Sequence, residues 1–298
     1  MSNSHQHSLH YRQAGTGEDL LLIHGLGSSG ADWAFQEAPL AAHFRLLMPD
    51  LRGCGRSPAS AVASIGDHAR DLWALVDRLS ISRVHVLGHS LGGAVALEMA
   101  LQRPEAVTRL MTINSLLSYR IDSLRKWLEV NGQLALVRVL GLRRTARLVA
   151  RRLFPWPHQA AMRARVIEVI GNLPQRAYLD LARALADWCA LERISHLRAP
   201  MLMLAAEHDY TPLEEKRRFA ALAGAQLEVV AGSRHGTPFD AIEACNECAL
   251  AWFLGRPIPV PLRIDSATTA PIAPPPGFEE RERRAAAARV GDTAELEA

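Results

Sequence analysis

The chain has 298 residues, 49% of them hydrophobic and 22% charged, with a formal net charge of +3. That length buries a full core as one large domain with an insertion, or as two small domains, and the composition excludes a disordered or collagen-like chain. No apolar run approaches the roughly 18 residues of a membrane span, and Met1–Gln13 lacks the apolar stretch of a secretory leader.

Cys54, Cys189, Cys245 and Cys248 are scattered as in a reduced chain, so a cytoplasmic location is expected. Cys245 and Cys248 have no second pair at metal-ligand spacing, so core packing is expected there and no metal is assigned. The positive charge is local. Residues 115–195 hold fourteen Lys/Arg against six Asp/Glu, and the rest of the chain is net acidic.

In chain order, Leu9–Arg12 alternates like an edge strand and Ala14-Gly15-Thr16-Gly17 reads as a hairpin turn. Leu20–Ile23 is continuously apolar, the pattern of a strand covered on both faces, and runs into the glycine-rich loop His24-Gly25-Leu26-Gly27-Ser28-Ser29. Arg45–Pro49 is another short strand. It leads into Asp50-Leu51-Arg52-Gly53-Cys54-Gly55-Arg56-Ser57, read as a structural loop shaped by an Asp–Arg pairing and two glycines. Leu72, Leu75, Val76 and Leu79 mark an amphipathic helix over Ile65–Leu79.

The stretch Val84–Leu87 is apolar and strand-like, followed by Gly88-His89-Ser90-Leu91-Gly92-Gly93 and the helix-forming Ala94–Ala100. A strand, a very tight turn and a helix place Ser90 at the apex, with Gly88 and Gly92 removing the side chains that would collide there. The hydroxyl then stands just before a helix N-terminus, whose free N–H groups hold developing negative charge. These are the parts of a nucleophile elbow.

With Gly-x-Ser-x-Gly in this setting, the chain resembles the α/β-hydrolase family over about residues 9–255. The resemblance implies a mostly parallel central sheet flanked by helices, with an inserted helical cap. It also implies that the backbone amides of Leu26, in the His-Gly-x loop, and Leu91 form an oxyanion hole. The loop Asp50–Ser57 matches a pattern common in the family. Dehalogenase and epoxide-hydrolase chemistry is disfavoured, because those relatives carry Asp as nucleophile where this chain has Ser90.

After the strand Val107–Ile113, residues 115–195 read as helices without strands. In the segment Leu134–Leu153, Leu142, Ala146, Val149 and Leu153 share one face and Arg143, Arg144, Arg147 and Arg151 the other. The arginine face is either a solvated helix surface or a landing site for an acidic carrier or anionic membrane surface. No recognition module accompanies it, which argues against nucleic acid. By resemblance this insertion roofs the site, with Trp127, Phe154, Trp156 and Trp188 candidates for an apolar acyl pocket.

Strand character returns at Met201–Ala206, followed by Asp209, and again at Gln226–Val230, followed by His235. By resemblance, Asp209 is the acid that orients the catalytic imidazole and His235 the base, in the chain order Ser…Asp…His that this fold uses. Glu207 is the fallback acid. Ala206 and Arg234 stand where the family usually has glycine.

The expected organisation is a core of residues 1–114 and 196–255, a cap of 115–195 and a proline-rich tail of 256–298. The expected function is a serine hydrolase cleaving a carboxylester or thioester of a mostly apolar acyl group through an acyl-enzyme on Ser90, without a cofactor. Lactone hydrolysis, carbon–carbon bond hydrolysis of ring-fission products, and a hydrolase-fold small-molecule binding protein with little turnover are the alternatives.

Overall fold

The computed structural model describes residues 9–59 and 64–264. Its strands are β1 (Tyr11–Ala14), β2 (Glu18–Ile23), β3 (Phe44–Pro49), β4 (Val84–His89), β5 (Val107–Ile113), β6 (Met201–Ala206) and β7 (Gln226–Val230). They form one sheet in the order β1-β3-β2-β4-β5-β6-β7. The pair β1–β3 is antiparallel and every other pair is parallel.

The continuous apolar strands are explained by cover on both faces. Successive side chains point to opposite sides, so Leu21 and Ile23 enter one apolar cluster and Leu20 and Leu22 the other. Helices α1 (Ala34–Ala41), α2 (Ile65–Arg78) and α3 (Leu91–Gln102) follow the early strands. The cluster of Leu21 takes in Leu72 and Val76 of α2 and Val95 and Met99 of α3, while Leu40 of α1 lies in the other. Ser64 and Asp67 close the start of α2 with a reciprocal capping box.

Between β5 and β6 lie α4 (Leu124–Leu140), α5 (Leu142–Leu153), α6 (Ala160–Gly171) and α7 (Gln175–Ala186). The sequence pattern read Leu134–Leu153 as one helical run, but Gly141 divides it at φ 77, a conformation that ends a helix readily only at glycine. Within α5 the expected sidedness holds: Leu142 and Ala146 are buried and Arg143, Arg144, Arg147 and Arg151 exposed. These helices have their own apolar cluster, built on Leu134, Val137, Leu142, Ala146, Ile170 and Tyr178. Leu26 packs against it and against the sheet-side cluster as well.

Beyond the sheet's centre come α8 (Leu213–Ala223), α9 (Thr237–Asp240) and α10 (Ile242–Phe253). Cys245 and Cys248 of α10 are buried among apolar side chains of the β2 and β3 face, and burial pushes the Cys245 thiol up to about 12. Residues 265–298 of the proline-rich tail lie outside the described residues.

One local expectation is corrected. Asp50 does not pair with Arg52. It accepts the backbone N–H groups of Gly30 and Arg56 and faces His10, while Arg52 reaches across to Asp71 of α2. A buried carboxylate is satisfied here by loop amides, which organises residues 50–57 from inside.

The turn from β4 into α3 leaves no room for a side chain. A Cβ at Gly92 would collide with the carbonyl oxygens of Ile23 and His24, and one at Gly88 with the backbone of Gly92 and Gly93. We expect Gly92→Ala to lower stability by about 3 kcal/mol or more, since backbone cannot give way as a side chain does. A denaturant midpoint shifted at unchanged m-value checks this.

Candidate active site

Ser90 sits between β4 and α3 at φ 54 and ψ −117, held there by its N–H donating to the Ile113 carbonyl at 2.8 Å. Positive φ at a non-glycine residue is strained, and the packing of Gly88, Gly92 and Gly93 against neighbouring strands and Ser115 leaves the chain no other path. Leu91 opens α3, so its N–H has no partner one turn earlier. The loop after β2 lies directly against the elbow, since a Cβ at Gly25 would stand 3.5 Å from the Cβ of Ser90. Leu26 is the next residue of that loop.

His235 comes from the loop after β7. This loop is fastened from several directions: Asp240 accepts the Arg234 N–H and the Ser233 hydroxyl, and the amide of Asn114 donates to the His235 carbonyl at 2.9 Å. Arg234 adopts a negative φ, as only Ser80, Ser90 and Asn114 depart from that among the described non-glycine residues. The backbone at Arg234 thus does not require the left-handed conformation that favours glycine.

The structure brings the three expected side chains together. His235 Nε2 lies 2.9 Å from Ser90 Oγ, and its Nδ1 lies 2.8 Å from Asp209 Oδ1. Ser90 and His235 are each 7% exposed. Glu207, the fallback acid, is exposed and instead accepts the Gly232 N–H at 2.8 Å. With Nδ1–H donating to the carboxylate, Nε2 presents its lone pair to the hydroxyl.

The charge of Asp209 is shared. Burial pushes its carboxyl up, but His235 and Lys216 outweigh burial and hold it well below the usual carboxylate range. Lys216 is 1% exposed on α8, with Nζ bonded to Asp209 Oδ2 and 3.4 Å from Asn114 Oδ1. Burial lowers the Lys216 pKa against the pull of Asp209. Thr211 adds a hydroxyl at 2.5 Å. Sequence reasoning passed over Lys216, yet a signal was there: Lys216, Phe219, Ala220 and Ala223 recur at helical spacing, and the first three are buried.

Tyr210 was also missed. Its hydroxyl lies 2.8 Å from His235 Nε2 and its ring 4.1 Å from the imidazole centroid. Nε2 has one lone pair, so the hydroxyls of Ser90 and Tyr210 compete for it. Two further histidines brace the site. His24 donates from Nδ1 to the Gly25 carbonyl and accepts the Leu51 N–H at Nε2, which fixes a neutral ring. His89 donates from Nε2 to the His235 carbonyl at 2.8 Å.

A cavity of about 190 Å³ opens beside His235, lined by Arg152, His208, Tyr210, Arg234 and His235. The expected apolar wall is largely elsewhere. Trp127 and Trp156 are exposed, Trp188 is buried with its indole N–H on Glu98, and only Phe154 approaches, against Gly236. A groove of about 610 Å³ along α2 and α3 holds no nucleophile, and its Arg103 and Asp77 pair with each other.

Two outcomes test this geometry. Burial drives the His89 pKa down to about 4, so the folded state keeps the ring neutral while the unfolded chain protonates it below about 6.5. Its contribution is present above that value and fades as pH falls towards 4, on the order of 3 kcal/mol in all. We expect His89→Gln, which retains an N–H donor, to flatten the stability–pH curve over that window. Lys216→Met strands a buried carboxylate, and we expect it to destabilise the fold by about 3–5 kcal/mol in thermal or chemical unfolding.

Comparison with known proteins agrees with the fold. A model of the alpha/beta hydrolase fold matches residues 20–155. The chain is 30% identical over 264 residues to a protein of Caulobacter sp. (strain K31) named "Putative carbamate hydrolase RutD", covering 84% of this chain and 96% of that one. Among solved structures, an enol-lactonase from Burkholderia xenovorans LB400 superposes with a TM-score of 0.75 at 24% identity, covering 83% of this chain and 96% of that one. A thermophilic esterase from Thermogutta terrifontis does so with 0.73 at 25%, covering 83% and 93%. The chain thus belongs to the α/β-hydrolase family and is a hydrolase of that fold.

Proposed function

We propose that this protein cleaves a carboxylester or thioester by acyl transfer through Ser90. A serine hydroxyl is a poor nucleophile near neutral pH, so His235 Nε2 takes its proton as Oγ attacks the carbonyl carbon. Asp209 holds the Nδ1–H tautomer and stabilises the imidazolium. The amides of Leu26 and Leu91 receive the oxyanion. His235 then returns the proton to the leaving group, and a water molecule repeats the sequence to release the acid and restore Ser90. In this scheme Tyr210 must withdraw its hydroxyl from Nε2 for the serine to be activated.

The observation that carries this reading is the unbroken pair of hydrogen bonds from Ser90 through His235 to Asp209, with the serine at a helix N-terminus. The insertion over α4–α7 serves as the cap, since Ile170 and Tyr178 lie against Gly27 of the proposed oxyanion loop. Apolar contact from Leu26, Ile170 and Tyr178 suits an alkyl portion of the acyl group. Cys189, Cys245 and Cys248 form no disulfide among the described residues, which is compatible with a reducing cytoplasm, and no helix among those residues is long and apolar enough to cross a membrane. Carbamates are attacked by the same steps, and the relatives named for carbamate hydrolysis add them to the panel to be tried.

A fluorophosphonate probe is expected to label Ser90 in the whole protein and to miss Ser90→Ala. Turnover of p-nitrophenyl esters is expected to fall by at least about four orders of magnitude in that variant. A stoichiometric burst with no subsequent turnover on any ester, thioester or carbamate would instead favour a binding protein.

A further inference from the structure

The cavity beside His235 is basic, and its lining comes from two separate parts of the chain. Arg152 extends from the C-terminal turn of α5, and Arg234 belongs to the loop that carries His235. The Arg152 guanidinium lies over the Tyr210 ring, 5.1 Å from its centroid, and that ring stacks in turn on the imidazole of His235. Among the described residues no carboxylate lies within ion-pair distance of either guanidinium.

The acidic groups nearby are already engaged. Asp209 is held by His235, Lys216 and Thr211, Asp240 by the Ser233 hydroxyl and the Arg234 N–H, and Glu207 by the Gly232 N–H and His208. Two arginines thus line one small cavity at the reacting imidazole. Among the described residues, the one carboxylate that acts on either of them is Asp240, on Arg234. It is itself buried and held by the Ser233 hydroxyl and the Arg234 N–H rather than by a guanidinium ion pair. Guanidinium presents N–H donors in a planar fork that matches a carboxylate.

From the positions of Arg152 and Arg234 in this cavity we infer an anion subsite: the substrate is an ester that carries a carboxylate a few bonds from the scissile carbonyl. This deepens the hydrolase reading proposed above and rests on it. Leu26, Ile170 and Tyr178 contact the alkyl span, and the arginines take the charged end. An uncharged ester of equal length leaves both guanidiniums to water and gains nothing from them. His208 adds a further N–H donor at the rim. The attraction is electrostatic and half-exposed, so added salt weakens it.

The test compares p-nitrophenyl monoesters of adipate and pimelate with p-nitrophenyl hexanoate and heptanoate, each corrected for uncatalysed hydrolysis. The protein with its native sequence is expected to favour the carboxylate member of each pair by about tenfold or more in kcat/KM, expressed mainly in KM. Arg152→Gln and Arg234→Gln are each expected to erase most of that ratio, and Arg152→Lys to keep part of it. Raising salt should narrow the ratio in the native protein and leave it flat in the double Gln variant. Equal or reversed preference in the native protein, or a ratio untouched by the substitutions, overturns the subsite while the hydrolase reading stands. Fluorophosphonate labelling of Ser90 without turnover of either series also overturns the subsite. Absence of both labelling and turnover overturns the hydrolase reading itself, and the subsite with it. Arg152 is exposed on its helix, so its variants keep the fold and the comparison remains decisive if Arg234→Gln misfolds.

Discussion

The whole arrangement depends on backbone meeting backbone at one turn. Gly92 lies against the carbonyls of Ile23 and His24, and Gly88 against Gly92 itself. No residue with a side chain fits at either place, so the end of β2 and the start of α3 are drawn into contact. The strained torsion of Ser90 follows from that closeness and is maintained by a fully packed sheet. Local strain of this sort persists only where the surroundings leave no alternative.

A second constraint is electrostatic. The Asp209 carboxylate has no exposure to solvent and touches an imidazole, an ammonium and a hydroxyl. A lone aspartate in that position would hold its charge for the imidazole alone. Here α8 supplies a competing cation, and Asn114 links Lys216 to the loop of His235. Burying so much charge is tolerable because each group offsets the desolvation of the next. The arrangement also joins α8, β6, the end of β5 and the His235 loop into one polar unit.

What could be read from the residues beforehand was what backbone chemistry dictates. Glycines at fixed offsets from a serine announce a sharp turn, and uninterrupted apolar strands announce a sheet covered on both sides. The order of Ser90, Asp209 and His235 along the chain points to a shared edge of that sheet through the resemblance to the α/β-hydrolase family, which uses that order. Features that arise from side chains meeting across the fold were not legible. Tyr210 gives no local sign that its hydroxyl will reach Nε2, because its neighbour Asp209 faces the opposite nitrogen. The split at Gly141 was hidden because the apolar periodicity continues on both sides of it. Asp50 pairs with amides rather than with Arg52, a choice set by loop curvature that spacing does not encode. Among the tryptophans, the sequence alone cannot separate the exposed Trp127 of α4 from the buried Trp188, which lies just beyond the end of α7.

Leu26 belongs to two apolar clusters at once, one under the sheet and one among the inserted helices. Anchored on two sides, its peptide group has little freedom left to lose. In the reaction proposed for Ser90, a donor that is immobile beforehand spends nothing on rearrangement when charge appears on the substrate oxygen. Drift or exchange in the inserted helices would therefore reach the chemistry through a main-chain dipole, without any change to the reacting side chains.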